Sequence, residues 1–431
     1  MSNPPVTTTP TEILLFFVLL QLVVIILAAR IAGGVAVAYG QSRAVGEILA
    51  GILLGPSLFG WLAPSVFSYV FHSVPGESLT ILSQIGLILL MFQIGLEFDF
   101  SHLSADHNRS AVIRIAGAGM LVPFLLGLGF GLYSAPFLSP QADPMASALF
   151  MATALSITAL PILGRIMIEF DMTQTPVGVI AISAAAINDV VGWLLLTVVT
   201  ALALARFSPT VLFIRLAVLL GYILLCWFVV RPVLRRGLSR WPPAAGGLSG
   251  NLLGLILVLV FLSAIATYHI GIFAIFGGFM MGVLLHDQRE FVKEWNERVG
   301  RFVTVFFLPI FFTYTGLRTN IGGLDSLTLW TWCAILLAVA TVGKFGGCYV
   351  AARWSKRTHA EAKVIGIMMN TRALMELIVV NVGYDLHVIS SHVFTMLVIM
   401  AIVSTIVTTP GLRRWLPAAG IPVPLTRNPV G

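Results

Sequence analysis

Charge is what this sequence has least of: Asp, Glu, Lys and Arg make up 10% of its 431 residues, against 58% hydrophobic. A soluble chain of this length would need several cores and far more charge to wet its surface. No polar block longer than about twenty residues is present to form a soluble domain. Cysteine is also scarce. Cys226, Cys333 and Cys348 stand singly in apolar segments without metal-ligand spacing, so they read as small packing residues and say nothing about redox compartment. No HExxH, GxSxG or Ser-His-Asp arrangement occurs, and the eight histidines are scattered, so nothing argues for an enzyme. The Gly-rich stretches Gly33–Gln41 and Gly51–Gly60 lack the strand-turn-helix context of a phosphate loop and are expected to serve close helix packing. No basic residue precedes Arg30, so a basic leader is not indicated and the first apolar run is expected to be a retained helix.

What the sequence does have is apolar runs of about twenty residues, the length that crosses roughly 30 Å of hydrocarbon. Breaking them at Gly, Pro and charge clusters predicts an all-α polytopic membrane protein with helices near residues 11–30, 43–61, 79–98, 111–135, 145–168, 176–205, 209–234, 250–268, 270–286, 301–321, 326–352, 361–384 and 389–411. Thirteen spans put the termini on opposite sides. With the N-terminus outside, only Arg206, Arg215 and Arg318 of the 25 basic residues lie outside, Lys344 and Arg372 lie within spans, and all others, including Arg427 of the tail, are cytoplasmic. The net charge of +7 therefore sets orientation, and a nucleic-acid partner is not expected. The expected setting is the inner (cell) membrane of a bacterium, with the C-terminus cytoplasmic.

An odd count divides into six helices, a linker and six more, inverted relative to the first. The transmembrane domain is then 1–415, with a first repeat over about 11–205, a linker helix over about 209–234, a second repeat over about 250–411, and a short tail, 416–431. Both halves carry a matching oddity. The fifth helix holds Ser156, Thr158 and Pro161, and the twelfth holds Asn370, Thr371, Arg372 and Glu376, two polar midsections that predict corresponding interrupted helices and a midplane binding site. Freed carbonyls at such breaks can ligate a cation, and free N–H groups can face an anion.

The candidate chemistry centres on Asp189, preceded by Asn188, about thirteen residues into a helix of roughly thirty. A charge at that depth costs roughly 2.5–3.5 kcal/mol, so such residues are few and tend to be functional. The expected role is alternate binding of a proton and a monovalent cation, a hard oxygen ligand suiting an alkali ion. Asn188 offers an amide oxygen or orients its neighbour. Ser156 and Thr158 either offer oxygens to the ion or back-bond to the preceding turn. Lys344, flanked by glycines that admit a close helix, either competes with the cation for Asp189 or braces the unwound segments through their carbonyls. Arg372 and Glu376, spaced i, i+4, share a helix face and are expected to form an internal ion pair that acts as a brace. Glu47 and Glu97, with Gln93 a turn deeper, read as interfacial.

These residues resemble a known family, the monovalent cation:proton antiporters, in the branch of potassium-efflux, spore-germination and plant cation/proton exchangers. The resemblance rests on VGEILAGILLGPSLFG (Val45–Gly60), GLILLMFQIGLEFD (Gly86–Asp99), AINDVVGW (Ala186–Trp193), FFTYTGLRTNIG (Phe311–Gly322), GKFGG (Gly343–Gly347) and MMNTRALMELIVVNVG (Met368–Gly383). It implies thirteen helices, a homodimer formed by one domain, and a mobile core of helices four to six and eleven to thirteen with crossed unwound stretches. It also implies that Asp189 is the proton and cation carboxylate and Lys344 the core lysine, with sodium or potassium and protons transported and no cofactor. Some relatives have two successive aspartates, whereas Asn188 stands first here. One carboxylate exchanging one proton for one cation is electroneutral. Many relatives append a nucleotide-binding regulatory domain; here some twenty Pro-rich residues follow the last helix, so regulation of that kind is expected from a separate subunit, if it exists. A sodium-coupled symporter or an ion channel on a related inverted-repeat fold is the alternative, although a channel needs a continuous polar pore and the polar residues here cluster at one depth.

Overall fold

The computed structural model describes residues 10–73, 76–96, 109–172, 175–204, 209–240, 249–270, 274–372 and 374–422. Glu97, Arg206 and Arg427 lie outside the described residues. Every regular element among the described residues is helical, as a chain in hydrocarbon requires, since helices satisfy their own backbone groups.

The chain opens with α1 (Pro10–Ala38), α2 (Arg43–Leu53), two short helices α3 (Phe59–Leu62) and α4 (Pro64–Phe71), and α5 (Glu77–Leu96). The helix expected over 43–61 stops at Leu53 because Gly55 and Pro56 follow, and a proline ring cannot continue the ladder. Next come α6 (Arg109–Leu138), α7 (Pro144–Ser156), α8 (Leu160–Glu169) and α9 (Pro176–Leu204). The expected linker helix runs as α10 (Pro209–Leu225), a π turn and α11 (Arg231–Arg240). The second half holds α12 (Gly250–Ile270), α13 (Ala274–Leu285), α14 (Arg289–Trp295), α15 (Leu308–Leu317), α16 (Leu327–Thr341), α17 (Gly347–Trp354), α18 (His359–Met369), α19 (Leu374–Asp385) and α20 (Ser391–Trp415). Local chemistry fixes several starts. Asp143 caps α7 by accepting from the Ala146 N–H at 2.8 Å, with Pro144 in the first turn, and Thr358 with Glu361 forms a capping box on α18.

Among the described residues, α1, α5, α6, α9, α12, α20 and the two runs continued through π turns, α10–α11 and α16–α17, make eight helices long and apolar enough to cross a membrane, or nine if the bent pair 289–300 and 303–323 is one span. That pair corrects the expected helix over 301–321. It begins twelve residues earlier, at Arg289, and bends by 43°. The earlier turns were hidden by their charges, yet they bury Phe291 and Trp295, the latter edge-on to Phe92 at 4.7 Å.

Two packing groups result. Helices α6–α9 and α16–α20 pack on one another, α1–α5 and α12–α15 pack on one another, and α10–α11 touches both. Outward faces are apolar: α1 leaves Leu19, Val23, Leu27 and Ile31 exposed and buries Ile25 and Ala29, the pattern of a lipid-facing helix. Close approach within the second group rests on glycine. A Cβ on Gly51 of α2 would stand 2.6 Å from the Phe312 carbonyl oxygen of α15, so only a bare Cα fits. Glu47, in the first turns of α2, is 2% exposed and lies 3.7 Å from Arg30.

Candidate functional site

The two predicted interruptions are present and touch. α7 ends at Ser156, Ile157 turns extended (φ −75°, ψ 150°), and α8 begins at Leu160, where Pro161 occupies a first-turn position that needs no N–H. α18 ends at Met369 and α19 begins at Leu374. The Ala159 N–H donates to the Thr371 carbonyl at 3.1 Å, and the Thr158 hydroxyl donates to the Met369 carbonyl at 3.5 Å. Each break thus supplies partners for backbone that the other leaves without a helix, the condition for irregular backbone inside a membrane protein.

Cations close the open end of α7. The last carbonyls of a helix have no intrahelical partner and carry the negative end of its dipole. Arg372 donates through Nη1 to Ala154 O at 3.2 Å and through Nη2 to Leu155 O at 2.8 Å and to Ala340 O of α16 at 3.2 Å. Lys344 Nζ donates to Ser156 O and, at 2.7 Å, to Gly119 O of α6. Three successive α7 carbonyls are therefore taken by two fully buried cations. Glycines admit the lysine. A Cβ at Gly343 would lie 3.0 Å from Pro123 Cα and one at Gly347 would lie 3.1 Å from Ala118 O, so the π turn Val342–Gly346 rests directly on α6.

Glu376 Oε2 stands 3.5 Å from Arg372 Nη1, both side chains being buried, so the expected i, i+4 ion pair is formed. α20 supports the second break from behind: Thr405 Oγ1 donates to Arg372 O at 2.9 Å, and the Thr371 and Thr408 hydroxyls are 3.2 Å apart.

Asp189 lies on α9 where that helix passes the first break. Buried alanines at 181, 184 and 185 let α9 approach its neighbours, and a Cβ on Gly192 would stand 2.8 Å from Ile157 Cγ1. Asp189 is 0% exposed, and among the described residues neither carboxylate oxygen has a hydrogen-bond partner. The Leu160 N–H at the start of α8 and the Lys344 ammonium are the groups that face it. Asn188 is equally buried, and its amide nitrogen lies 3.4 Å from where a Cβ on Gly119 would stand. Asp189, Glu376, Lys344 and Arg372 are within electrostatic reach of one another through Lys344, two acids beside two bases.

The structure thus brings Asp189, Asn188, Ser156, Thr158, Lys344, Arg372 and Glu376 into one region. Of the two roles open to Lys344, the carbonyl brace is formed. Ser156 Oγ back-bonds to Thr153 O at 2.9 Å, and it is the Ser156 carbonyl that meets the lysine. Sequence reasoning did not reach the carbonyls of Gly119, Ala154, Leu155 and Ala340, which no side-chain pattern marks, or the α20 hydroxyls. The latter had a signal: Ser404, Thr405, Thr408 and Thr409 recur at i, i+1, i+4 and i+5 within an apolar span.

Comparison with known proteins identifies the family and the fold. Residues 18–417 match the sodium/hydrogen exchanger transmembrane family. The chain is 38% identical over 396 residues to the Na+/H+ antiporter NhaS4 of Synechocystis sp., covering 90% of this chain and 95% of that protein. It is 36% identical to Cation/H+ antiporter 17 of Arabidopsis thaliana over 86% of this chain but 45% of that one. The fold is similar to that of the sodium proton antiporter MjNhaP1 from Methanocaldococcus jannaschii, with a TM-score of 0.68 at 16% identity over 95% of this chain and 99% of that one. The chain belongs to the sodium/hydrogen exchanger family and is an integral membrane cation/proton antiporter, exchanging sodium or potassium for protons, not an enzyme.

Proposed function

We propose that exchange runs through competition of a proton and a monovalent cation for Asp189, and that the group α6–α9 with α16–α20 carries this residue between the two sides. One observation supports the reading above others: the Asp189 carboxylate is buried with both oxygens unpartnered among the described residues, while the neighbouring cations are committed to backbone carbonyls. A bare buried charge is costly, so the carboxylate crosses when a proton or a cation neutralises it and crosses poorly when empty. Asn188 and Thr158 supply neutral oxygens beside it, a hard donor set suited to a dehydrated alkali ion, while Ser156 serves through the carbonyl that Lys344 holds. Lys344, Arg372 and Glu376 keep the crossed breaks in place as the group moves.

In this reading the five shorter or broken segments, α2, α7–α8, α13, α14–α15 and α18–α19, join the eight long helices to make thirteen spans. The halves are inverted about the linker α10–α11, the N-terminus is outside, and α1–α5 with α12–α15 forms the stationary part and the homodimer contact. With Asn188 in place of a second aspartate, one proton exchanges for one cation and no net charge moves. The test is Asp189→Asn, expressed at the wild-type level in everted vesicles and assayed for sodium- and potassium-dependent proton flux. Flux is expected to vanish for both ions, and residual exchange at the wild-type rate would remove Asp189 from the mechanism.

A further inference from the structure

The two packing groups meet through a polar cluster far from Asp189 in the chain, at the C-terminal ends of α15 and α19. Arg318 Nη1 donates to Asp385 Oδ1 at 2.5 Å and reaches Asn381 Oδ1 at 3.4 Å; Asn381 Nδ2 donates to Thr315 Oγ1 at 2.9 Å. α15 belongs to one group and α19 to the other. Both helices run away from the basic stretches 289–301 and 353–363, so the cluster sits at the end opposite those loops. The Gln41 Nε2 to Ile406 O bond, 3.2 Å, is a polar tie between α1's end and α20 that involves no charge.

Three members of the cluster keep a partner inside their own group. The Arg318 guanidinium rests on the Tyr314 ring at 4.1 Å. Thr315 Oγ1 donates to Phe311 O at 3.1 Å and Asn381 Nδ2 to Leu377 O at 2.8 Å, each within its own helix. The Asp385 side chain is 42% exposed and is hydrated when released. Separation of the groups therefore leaves Thr315 Oγ1 and Asn381 Nδ2 a partner each, and the one buried acceptor it exposes is Asn381 Oδ1, which Arg318 reaches only at 3.4 Å. A partly exposed ion pair is also weak enough to break and re-form in each cycle, and hydrogen-bond geometry is lost within about an ångström of sliding.

We infer that Arg318 and Asp385, with Thr315 and Asn381 beneath them, are a reversible latch that holds the two groups together at the end away from the basic loops and must open for the ion path to open there. The inference rests on the proposed movement of the core and adds two positioning residues to it. The test joins Arg318→Cys and Asp385→Cys in one antiporter, reconstituted in liposomes and linked by a reducible bifunctional thiosulfonate of about the span of an arginine side chain. Linking is expected to lower sodium/proton exchange at least tenfold and reduction to restore it, while each single-cysteine variant treated with the same reagent keeps its rate. A linked protein that exchanges at the unlinked rate overturns the latch and leaves the Asp189 reading intact, since that reading is tested by Asp189→Asn alone. A charge exchange gives a second route: Arg318→Asp or Asp385→Arg alone changes the initial rate at least threefold, and the two together bring it within twofold of wild type. Failure of the pair to restore the rate also overturns the latch.

Discussion

The Arg372–Glu376 pair has an asymmetry that makes a quantitative test. Arg372 donates to three carbonyls at 2.8–3.2 Å, whereas its contact to Glu376 is longer, at 3.5 Å. The arginine is therefore held mainly by backbone, and the glutamate depends on the arginine. Arg372→Ala strips partners from two carbonyls at the end of α7 and leaves a buried carboxylate uncompensated, a change that costs about 3–5 kcal/mol. Glu376→Gln leaves the arginine its three carbonyls and retains an acceptor, so it costs about 0.5–1.5 kcal/mol, the worth of one hydrogen bond. In the double variant Arg372→Ala/Glu376→Gln the buried-charge penalty is gone but the α7 carbonyls stay open. Its cost should fall between the two, with a coupling energy of about 1–2 kcal/mol. Reversible unfolding of purified protein in mixed detergent micelles gives all three values. Equal costs for Arg372→Ala and Glu376→Gln, or strict additivity in the double variant, would refute the argument that carbonyl capping is the arginine's main work.

Two further outcomes follow from the same geometry. Lys344→Met keeps the length of the side chain and removes the ammonium that holds Ser156 O and Gly119 O; two charge-assisted bonds at about 1.5–3 kcal/mol each, partly offset by relief of the buried charge, leave a net loss of about 2 kcal/mol. Exchange per folded molecule should fall at least tenfold in proteoliposomes, and a purely thermal defect with normal exchange would confine Lys344 to bracing. Asn188→Asp adds a second acid beside Asp189. Its exchange rate should become sensitive to a clamped potential, by about 2.3 kcal/mol per net charge per 100 mV, and a rate indifferent to voltage would count against a one-carboxylate stoichiometry in the parent.

The sequence by itself determined a great deal here, because a bilayer leaves a chain few options. Apolar runs without charge must be helices, a lone Asp189 amid them must be held for a reason, and the polar stretches at 153–165, with Pro161, and at 366–379 pointed to interrupted spans. The i, i+4 pairing of Arg372 and Glu376 was legible for the same local reason. Its periodicity could not show that the span ending at Leu317 begins at Arg289, since charged residues there face outward while Phe291 and Trp295 turn inward. Nor could it show that Glu47 is buried against Arg30 of another helix. Tertiary structure decided what backbone chemistry hides. Every residue carries a carbonyl, so nothing in the letters says that those of Ala154, Leu155 and Ser156 are the ones left open, or that Arg372 and Lys344, about two hundred residues away in sequence and from different helices, arrive to close them. Nor could it say that Asp189 meets none of these donors. Sequence sets which charges are in the membrane; only packing of distant helices sets which are spent on backbone and which is left for the ion.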